Sequence, residues 1–399
     1  MRSFILVIIM ILGITGCSFD KTVLFTEKTE VKTQYQVVDD KGNILDFTDT
    51  PKRIYATTLS LEEILTDLVP LERIAAISEP AADPKISLIA DKAAQIPLKL
   101  PQKVSAEQIL AIKPDLVIVQ ENSNTAFIQA LKDVGLKVYI TKIPTTLDMV
   151  RKRIIKLSEA VNEKKQGNIV IKELDKKTTF VKEVTDTIPV SDKKILMGYS
   201  LLGVFGSAEG LFNDICINAG ITNGAALAGL VRGEHLSKEK ILEVDPDVLM
   251  FSDYSSTQEG DTVLFRKEVL SDPALQSIKA IKNNNIIIIK DRYRYAASQY
   301  IGDGILDIAQ KTWQFFKDYI TEENNYLMPD NYQEDRRNIV VNRTSSTNIG
   351  LSLLAVISSY DMGFEKNEDI INLLEKIINT VYELPKWNGH LFNWYNVKT

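Results

Sequence analysis

From Tyr35 onward the chain alternates short apolar runs with amphipathic stretches. "YQVVDDKGNILDF" alternates polar and apolar residues around a turn at Asp40–Lys41–Gly42–Asn43, the pattern of a β-hairpin. "RIYATTL" is a short apolar run and predicts a strand. "SLEEILTDLV" follows at helical spacing behind a serine, and "RIAAIS" predicts another strand. Then come "SAEQILAI" (helix), "DLVIVQ" (strand), "NTAFIQALKDVG" (helix closed by Gly135) and "KVYITK" (strand). Strands and helices of these lengths in alternation predict an open, mostly parallel sheet.

Between 146 and 184 the only Gly or Pro is Gly167, and Lys, Glu, Ile and Leu dominate, so one or two long helices are expected there. After Pro189 the alternation restarts with "KILMGYS", "GLFNDICINAG", "SKEKILEV", "DVLMFS", "VLSDPALQSI" and "NNIIIIKD", ending in a helix from about Gly302 to Tyr319. The order of elements repeats that of the first half, and so does the text. Ser105, Glu107, Ile109, Leu110, Pro114 and Asp115 recur as Ser237, Glu239, Ile241, Leu242, Pro246 and Asp247, at a constant offset of 132 residues. The expected fold is α/β: two pseudo-symmetric α/β lobes with mostly parallel sheets joined by a long helix, plus a C-terminal all-α segment. That last segment is marked by a composition change. Residues 322–348 are rich in Asn, Asp, Arg and Thr, and two amphipathic helices without a strand signal follow.

Composition narrows the setting. A chain of 399 residues, 45% hydrophobic and 25% charged, is an ordinary globular protein of two or three domains. Its net charge of −6 argues against a nucleic-acid partner. "MRSFILVIIMILGITGC" joins a basic start to an apolar run too short to span a bilayer permanently, which suits a signal peptide. "ITGC" resembles the bacterial lipobox, which makes Cys17 the lipidated first residue of a mature chain anchored outside the cytoplasmic membrane. The second cysteine, Cys216, reads as a small buried hydrophobe. The expected divisions are 1–16 signal peptide, 17–35 tether, 36–145 first lobe, 146–186 linking helix, 187–321 second lobe and 322–399 helical segment.

The duplicated "AEQILAIKPDLVIV" motif, the long joining helix and the lipobox resemble the periplasmic-binding-protein family that serves ABC importers of ferric siderophores, haem and vitamin B12. The resemblance covers about residues 36–320. It implies a membrane-anchored solute-binding protein, not an enzyme, with no cofactor of its own. Its partners would be a small-molecule ligand, metal chelate or corrinoid, and an ABC permease dimer with its ATPase. Two readings of Glu107 and Glu239 stay open. Each sits in the first turn of a serine-capped helix, where a carboxylate is stabilising. In the family, one glutamate per lobe docks into arginine pockets of the two permease subunits.

In open α/β sheets ligands sit beyond the carboxyl ends of the strands. Those loops are "TTLS", "SEPAAD", "QENSN", "GYSLLGVFG", "SDYSS" and "DRYRYAASQY". Their candidate ligand-binding residues are Tyr199, Tyr254, Arg292, Tyr293, Arg294, Tyr295 and Arg232, with Phe205 beside them. Aromatic rings next to guanidinium groups suit a bulky anionic ligand; the plainer alternative is that several tyrosines pack the lobe interior. With only His235 and His390 in the chain, a histidine cage for a bare metal ion cannot be built. No nucleophile elbow or phosphate loop is present, so no catalytic residue is assigned.

Three tail motifs, "YLMPDNYQED", "NRTSSTNIGLSLLA" and "NGHLFNWYN", resemble the opening of the glycoamylase-like domain of cyclic β-1,2-glucan synthases. Ser346 and Asn396 stand where that pattern has Pro and Asp. The alternative function is therefore a binding module of a β-glucan-processing extracellular enzyme. The tail itself is either the start of a larger domain or a retained helical hairpin.

Overall fold

The structure is a computed structural model that describes residues 34–185, 193–200, 203–204, 206–231, 234, 236–253, 262–283, 285–294, 296–329, 332–333, 339–340, 342–361 and 364–398. The first lobe opens with the expected antiparallel hairpin, β1 (Tyr35–Val38) and β2 (Ile44–Phe47). The Asp39 carboxylate builds its turn by accepting from the backbone N–H groups of Lys41 and Asn43. It also accepts from Ile140 N–H, which ties the hairpin to the lobe's sheet. Next come β3 (Ile54–Ala56), α1 (Leu59–Leu68), α2 (Ala106–Ala111), β4 (Leu116–Gln120) and β5 (Val138–Thr141). The three strands lie parallel in the order β3-β4-β5.

The linker is a pair of helices, α3 (Leu147–Ala160) and α4 (Lys164–Thr185). The chain breaks between them where Asn162 takes φ 58°, a left-handed conformation that asparagine tolerates. Gly167 lets the pair close up, because a Cβ there would lie 2.5 Å from Ser158 Cβ.

The second lobe holds β6 (Ile195–Ser200), β7 (Thr222–Asn223), α5 (Lys238–Val244), β8 (Val248–Ser252) and β9 (Ile286–Ile289), followed by α6 (Asp291–Arg294) and α7 (Ile301–Tyr319). Its strands run parallel in the order β7-β6-β8-β9. Thus β6, β8 and β9 repeat β3, β4 and β5.

The repeated text makes the same joint in each lobe. Ser105 caps α2 by accepting from Gln108 N–H, and the Gln108 side chain returns a bond to Ser105 N–H. Ser237 caps α5 by accepting from Lys240 N–H. Beyond each helix a left-handed residue precedes the proline: Lys113 at φ 50° and Asp245 at φ 45°. The aspartate after the proline then latches the residues that lead into the first strand of its own lobe's parallel sheet. Asp115 accepts from the N–H groups of Lys52 (2.6 Å) and Arg53 (3.0 Å), and Asp247 accepts from Ile195 N–H (2.8 Å).

Along the strands, alternate side chains enter different cores. Ile54, Ala56, Leu116, Ile118, Leu196, Met250 and Ile289 join one continuous cluster with Ile154, Leu157, Val170 and Leu174 of the linker helices. The intervening residues face away. Tyr55, Val117 and Val119 pack with Ile109 in the first lobe, and Met197, Leu249 and Phe251 pack with Ile241 in the second. Burial on both faces is what parallel sheets require, and it is why these strands read as near-continuous apolar runs.

The tail departs from the all-α expectation in one respect. Its helices α8 (Ser346–Asp361) and α9 (Asn367–Glu383) pack Val356, Ile370 and Ile377 against Ile320 and Met328. They are accompanied by two-residue ladders, among them β10 (Lys386–Trp387) with β11 (His390–Leu391). Asn388 and Gly389 turn this hairpin at φ 49° and 81°, an Asn-Gly turn signal that the strand pattern alone does not carry.

Gly167→Ala is expected to destabilise the protein by about 1–3 kcal/mol by forcing α3 and α4 apart. Gly350→Ala in α8, where a Cβ meets nothing within 4 Å, serves as the control and is expected to be neutral or stabilising by up to about 1 kcal/mol. Urea denaturation of both variants measures the contrast.

Candidate ligand cleft

Parallel strands put all their carboxyl ends at one edge, so the loops after β3, β4, β6, β8 and β9 define the place to look. At one point loops of the two lobes touch: Arg292 Nη1 donates to Pro84 O at 3.3 Å. Pro84 lies beside the 78–83 loop and Arg292 on α6. The Arg292 guanidinium carbon is 5.4 Å from the Tyr293 ring centroid. Its Nε is buried and has no hydrogen-bond partner among the described residues. A guanidinium at the seam with a free, desolvated donor is suited to a carboxylate or similar anion.

Tyr293 is half-buried against the continuous core. Tyr199 occupies a different surrounding. Its position on β6 puts it on the same side as Met197, in the second lobe's outer cluster, where its ring meets Phe265 edge-on at 5.1 Å and Phe251 at 6.5 Å. Burial there raises the pKa of its hydroxyl. This is the interior packing that the plainer reading allowed. Cys17, Tyr254, Tyr295, Arg232, Phe205, His235 and the Arg294 side chain lie outside the described residues. Cys216 is buried, and burial pushes its thiol up. Among the described residues no group of three or more His, Cys, Asp or Glu could hold a metal ion.

The two lobes also meet in a buried polar cluster that the sequence pattern did not single out. Glu62 and Glu63 of α1 are each only 2% exposed. Glu62 accepts from Ser78 N–H (2.6 Å) and Ser78 Oγ (2.7 Å), fixing the start of the 78–83 loop. Glu63 accepts from Ser298 Oγ (2.6 Å) in the other lobe. The Gln299 amide donates to Glu63 O (2.8 Å) and to Asp67 Oδ2 (2.6 Å). From the linker, Arg153 is 3% exposed and donates to Ala297 O at 3.3 Å, while its Nε and Nη2 have no partner. Burial pushes both glutamates up to about 7, with the neighbouring Glu62 and Asp67 charges adding to the effect on Glu63. Burial lowers Arg153 to about 10. These side chains pin the lobes together. The helical periodicity of "SLEEILTDLV" places both acids off the apolar stripe; they are buried because α1 is covered on that side too.

Glu107 and Glu239 stand in the open, on the helices that cover the outer cores. Both carboxyls are held below the usual range: Glu107 chiefly by the Ser105 hydroxyl, Glu239 chiefly by its own backbone N–H and then by Ser237.

The family profile described as "Periplasmic binding protein" matches residues 55–293. The chain belongs to the periplasmic binding protein family. Among curated relatives of this binding protein is the Fe(3+)-citrate-binding protein YfmC of Bacillus subtilis (strain 168). It is 20% identical over 276 residues, or 68% of this chain and 84% of the relative. The apo structure of the periplasmic heme-binding protein RhuT from Roseiflexus sp. RS-1 superposes with a TM-score of 0.55 at 22% identity. The match covers 64% of this chain and 96% of that one, a likeness that shows the shared fold. A further relative is of another kind. The cyclic beta-(1,2)-glucan synthase NdvB of Rhizobium meliloti (strain 1021) is 45% identical over 91 residues, 23% of this chain. The binding protein spans only 3% of the synthase's own length. Both resemblances noted in the sequence are therefore present in one chain.

The raised glutamates set a pH dependence of stability. Below about pH 4.5 both are protonated folded or unfolded, and the folded state loses nothing. As pH rises toward and through about 7 the unfolded chain ionises freely, while the folded chain must hold the proton or bury a charge. Their contribution therefore falls with rising pH, by roughly 3 kcal/mol per group. Glu63→Gln is expected to flatten this part of the profile, which denaturation between pH 4.5 and 8 measures.

Proposed function

We propose that this protein captures an iron chelate, haem or corrinoid-type ligand between its lobes and delivers it to an ABC permease dimer. The observation that carries this reading is the seam guanidinium of Arg292, buried at Nε and unpartnered there, in a chain of this family. Ferric citrate and haem both present carboxylates, and an arginine fork is the side chain suited to receive one. The relatives named for these two ligands support the same class. In this reading residues 36–145 and 187–321 form the two walls, 146–186 the spacer, and Tyr293, Arg294, Tyr295, Tyr254 and Arg232 surround the ligand. Cys17 anchors the chain to the outer side of the membrane through its lipid. Because one core runs through both lobes and the linker, lobe movement on binding is small.

Thermal-shift titration with ferric citrate, a ferric siderophore, haem and cobalamin tests the ligand class. Stabilisation by at least one is expected, and stabilisation by none sinks the reading. Arg292→Ala is expected to weaken the active ligand about tenfold or more, about 1.4 kcal/mol. Arg292→Lys, which lacks the planar fork, restores little.

Glu107 and Glu239 act as twin docking points, one for each permease subunit. Their exposure, their ionised state and their equivalent places on two pseudo-symmetric lobes support this role. Charges at such a rim govern orientation and encounter more than affinity. Glu107→Lys with Glu239→Lys is expected to abolish uptake in a transport assay while ligand affinity is unchanged. Retained uptake would contradict the docking role.

A second reading, the binding module of a β-glucan-processing enzyme, is favoured by the 45% identity to the glucan synthase over 91 residues.

A further inference from the structure

Arg153 of α3 is a buried cation whose described contacts do not balance its charge. It is 3% exposed, and burial lowers its pKa only to about 10, so it stays charged at neutral pH. It stands at a three-way junction. Its backbone belongs to the linker, and its Nη1 donates to Ala297 O of the second lobe at 3.3 Å. Among the described residues the opposite charge acting on it is Asp40, in the hairpin of the first lobe. Asp40 is already engaged. Its carboxylate accepts from Lys156 Nζ (2.5 Å), Lys142 N–H (2.8 Å) and Thr141 Oγ1 (3.2 Å).

The imbalance is concentrated on one edge of the guanidinium. Nε and Nη2, whose N–H bonds form a parallel fork, are buried and have no partner among the described residues. The other arginines of the first lobe and linker have this edge filled. Arg53 uses it to donate to Lys113 O (3.0 Å) and Ile112 O (2.6 Å). Arg73 uses it to donate to Pro51 O (2.8 Å) and Val161 O (2.6 Å). Arg151 uses it to donate to Asp175 Oδ1 (2.6 Å) and Thr178 Oγ1 (3.3 Å). Arg153 is the most enclosed of the four, and its fork is the one that these residues leave unfilled.

Charge and shape together select an oxyanion over water. Water can satisfy the two N–H groups but leaves the charge unbalanced, and an unpaired buried charge is costly. A carboxylate brings two oxygens at the spacing of the fork together with a negative charge. The depth of Arg153 restricts the partner to a small anion or to a terminal carboxylate of a larger molecule. We propose that Arg153 binds a carboxylate-type oxyanion on its Nε–Nη2 fork, where the linker meets both lobes. Ala297, which holds the other side of Arg153, is followed by Ser298 and Gln299, whose side chains bond to Glu63 and Asp67 of the first lobe. An anion that fixes Arg153 therefore steadies the segment that fastens the second lobe to the first. The site rests on this geometry and not on the chelate reading. The oxyanion is either free in solution or a carboxylate arm of the captured ligand, two sources that the experiment separates.

The test is thermal melting of the full chain in a zwitterionic buffer at fixed pH, titrated with sodium formate, acetate or bicarbonate, with sodium chloride as the salt control, and separately with ferric citrate. Saturable stabilisation by at least one oxyanion, beyond that of chloride, is expected in the wild type. Arg153→Met removes the charge at similar length, so it is expected to melt at or above the wild type without anion and to lose the anion-dependent shift. Arg153→Lys keeps the charge but not the fork, and is expected to bind the anion at least tenfold more weakly. In arginine-labelled wild type the Arg153 Nε–H resonance, identified by its absence from Arg153→Lys, is expected to shift with the same saturation. That readout serves even where the methionine variant does not fold. Competition between the free anion and ferric citrate assigns the fork to the ligand's own carboxylate, and independent binding of the two assigns it to a free anion. The site is overturned if the oxyanions and ferric citrate affect wild type and both variants alike, or if none of them moves the Nε–H resonance. If ferric citrate does not bind at all, the free-anion shift alone decides this site, so its failure is separable from that of the transport reading.

Discussion

The parallel sheet of each lobe has two apolar faces, and the inner face of both is covered by one shared layer. Ile54, Ile118, Leu196 and Met250 come from different lobes, yet they belong to one cluster with the linker residues Ile154, Leu157, Val170 and Leu174. A lobe that swung far from its partner would have to pull this layer off one sheet, exposing apolar surface at roughly 25 cal/mol per Å². The linker is therefore part of the core of both halves, which is a stronger constraint than stiffness alone. It also explains the burial of Glu62 and Glu63. With helix α1 enclosed by the shared layer and by the Ser298–Gln299 segment, even its polar positions are cut off from water.

The outer faces are a separate matter, and there the two halves behave as copies. Ile109 and Ile241 hold equivalent helices against equivalent sheets, leaving Glu107 and Glu239 in solvent at equivalent places. The molecule thus combines a fused interior with two free, matching exteriors. Strand-end loops of the two lobes meet at Pro84 and Arg292.

Much of this was legible in the residues, and the exceptions have physical reasons. Strand runs such as "LVIV" and "VLMF" announce parallel sheets because both faces are buried, and the repeated Ser…Glu…Ile-Leu…Pro-Asp text identifies the two halves. The same text did not disclose what its aspartates do. Asp115 and Asp247 bond to strands more than fifty residues earlier, a relation that local patterning cannot carry. Tyr199 sits in a loop-end motif that suggests a cleft, but strand alternation puts its ring beside Met197 in the outer core. Glu62 and Glu63 look solvated because helical periodicity knows one apolar face, while tertiary contacts supply the second. The Asn388–Gly389 turn was a readable signal masked by the helical character of its surroundings.

The aspartate latches also impose an order on how the chain assembles. The N–H groups at the entry to the first strand of each parallel sheet are satisfied only after Asp115 or Asp247 has been delivered by the following helix and proline turn. Such long loop closures are slow relative to local helix formation. A nascent chain emerging from its N-terminus can complete the first closure while the second lobe is still absent, because Lys52 and Asp115 lie in the same half. The repeated text then acts as two separate locks, closed one after the other, and the shared helical layer joins them once both are shut.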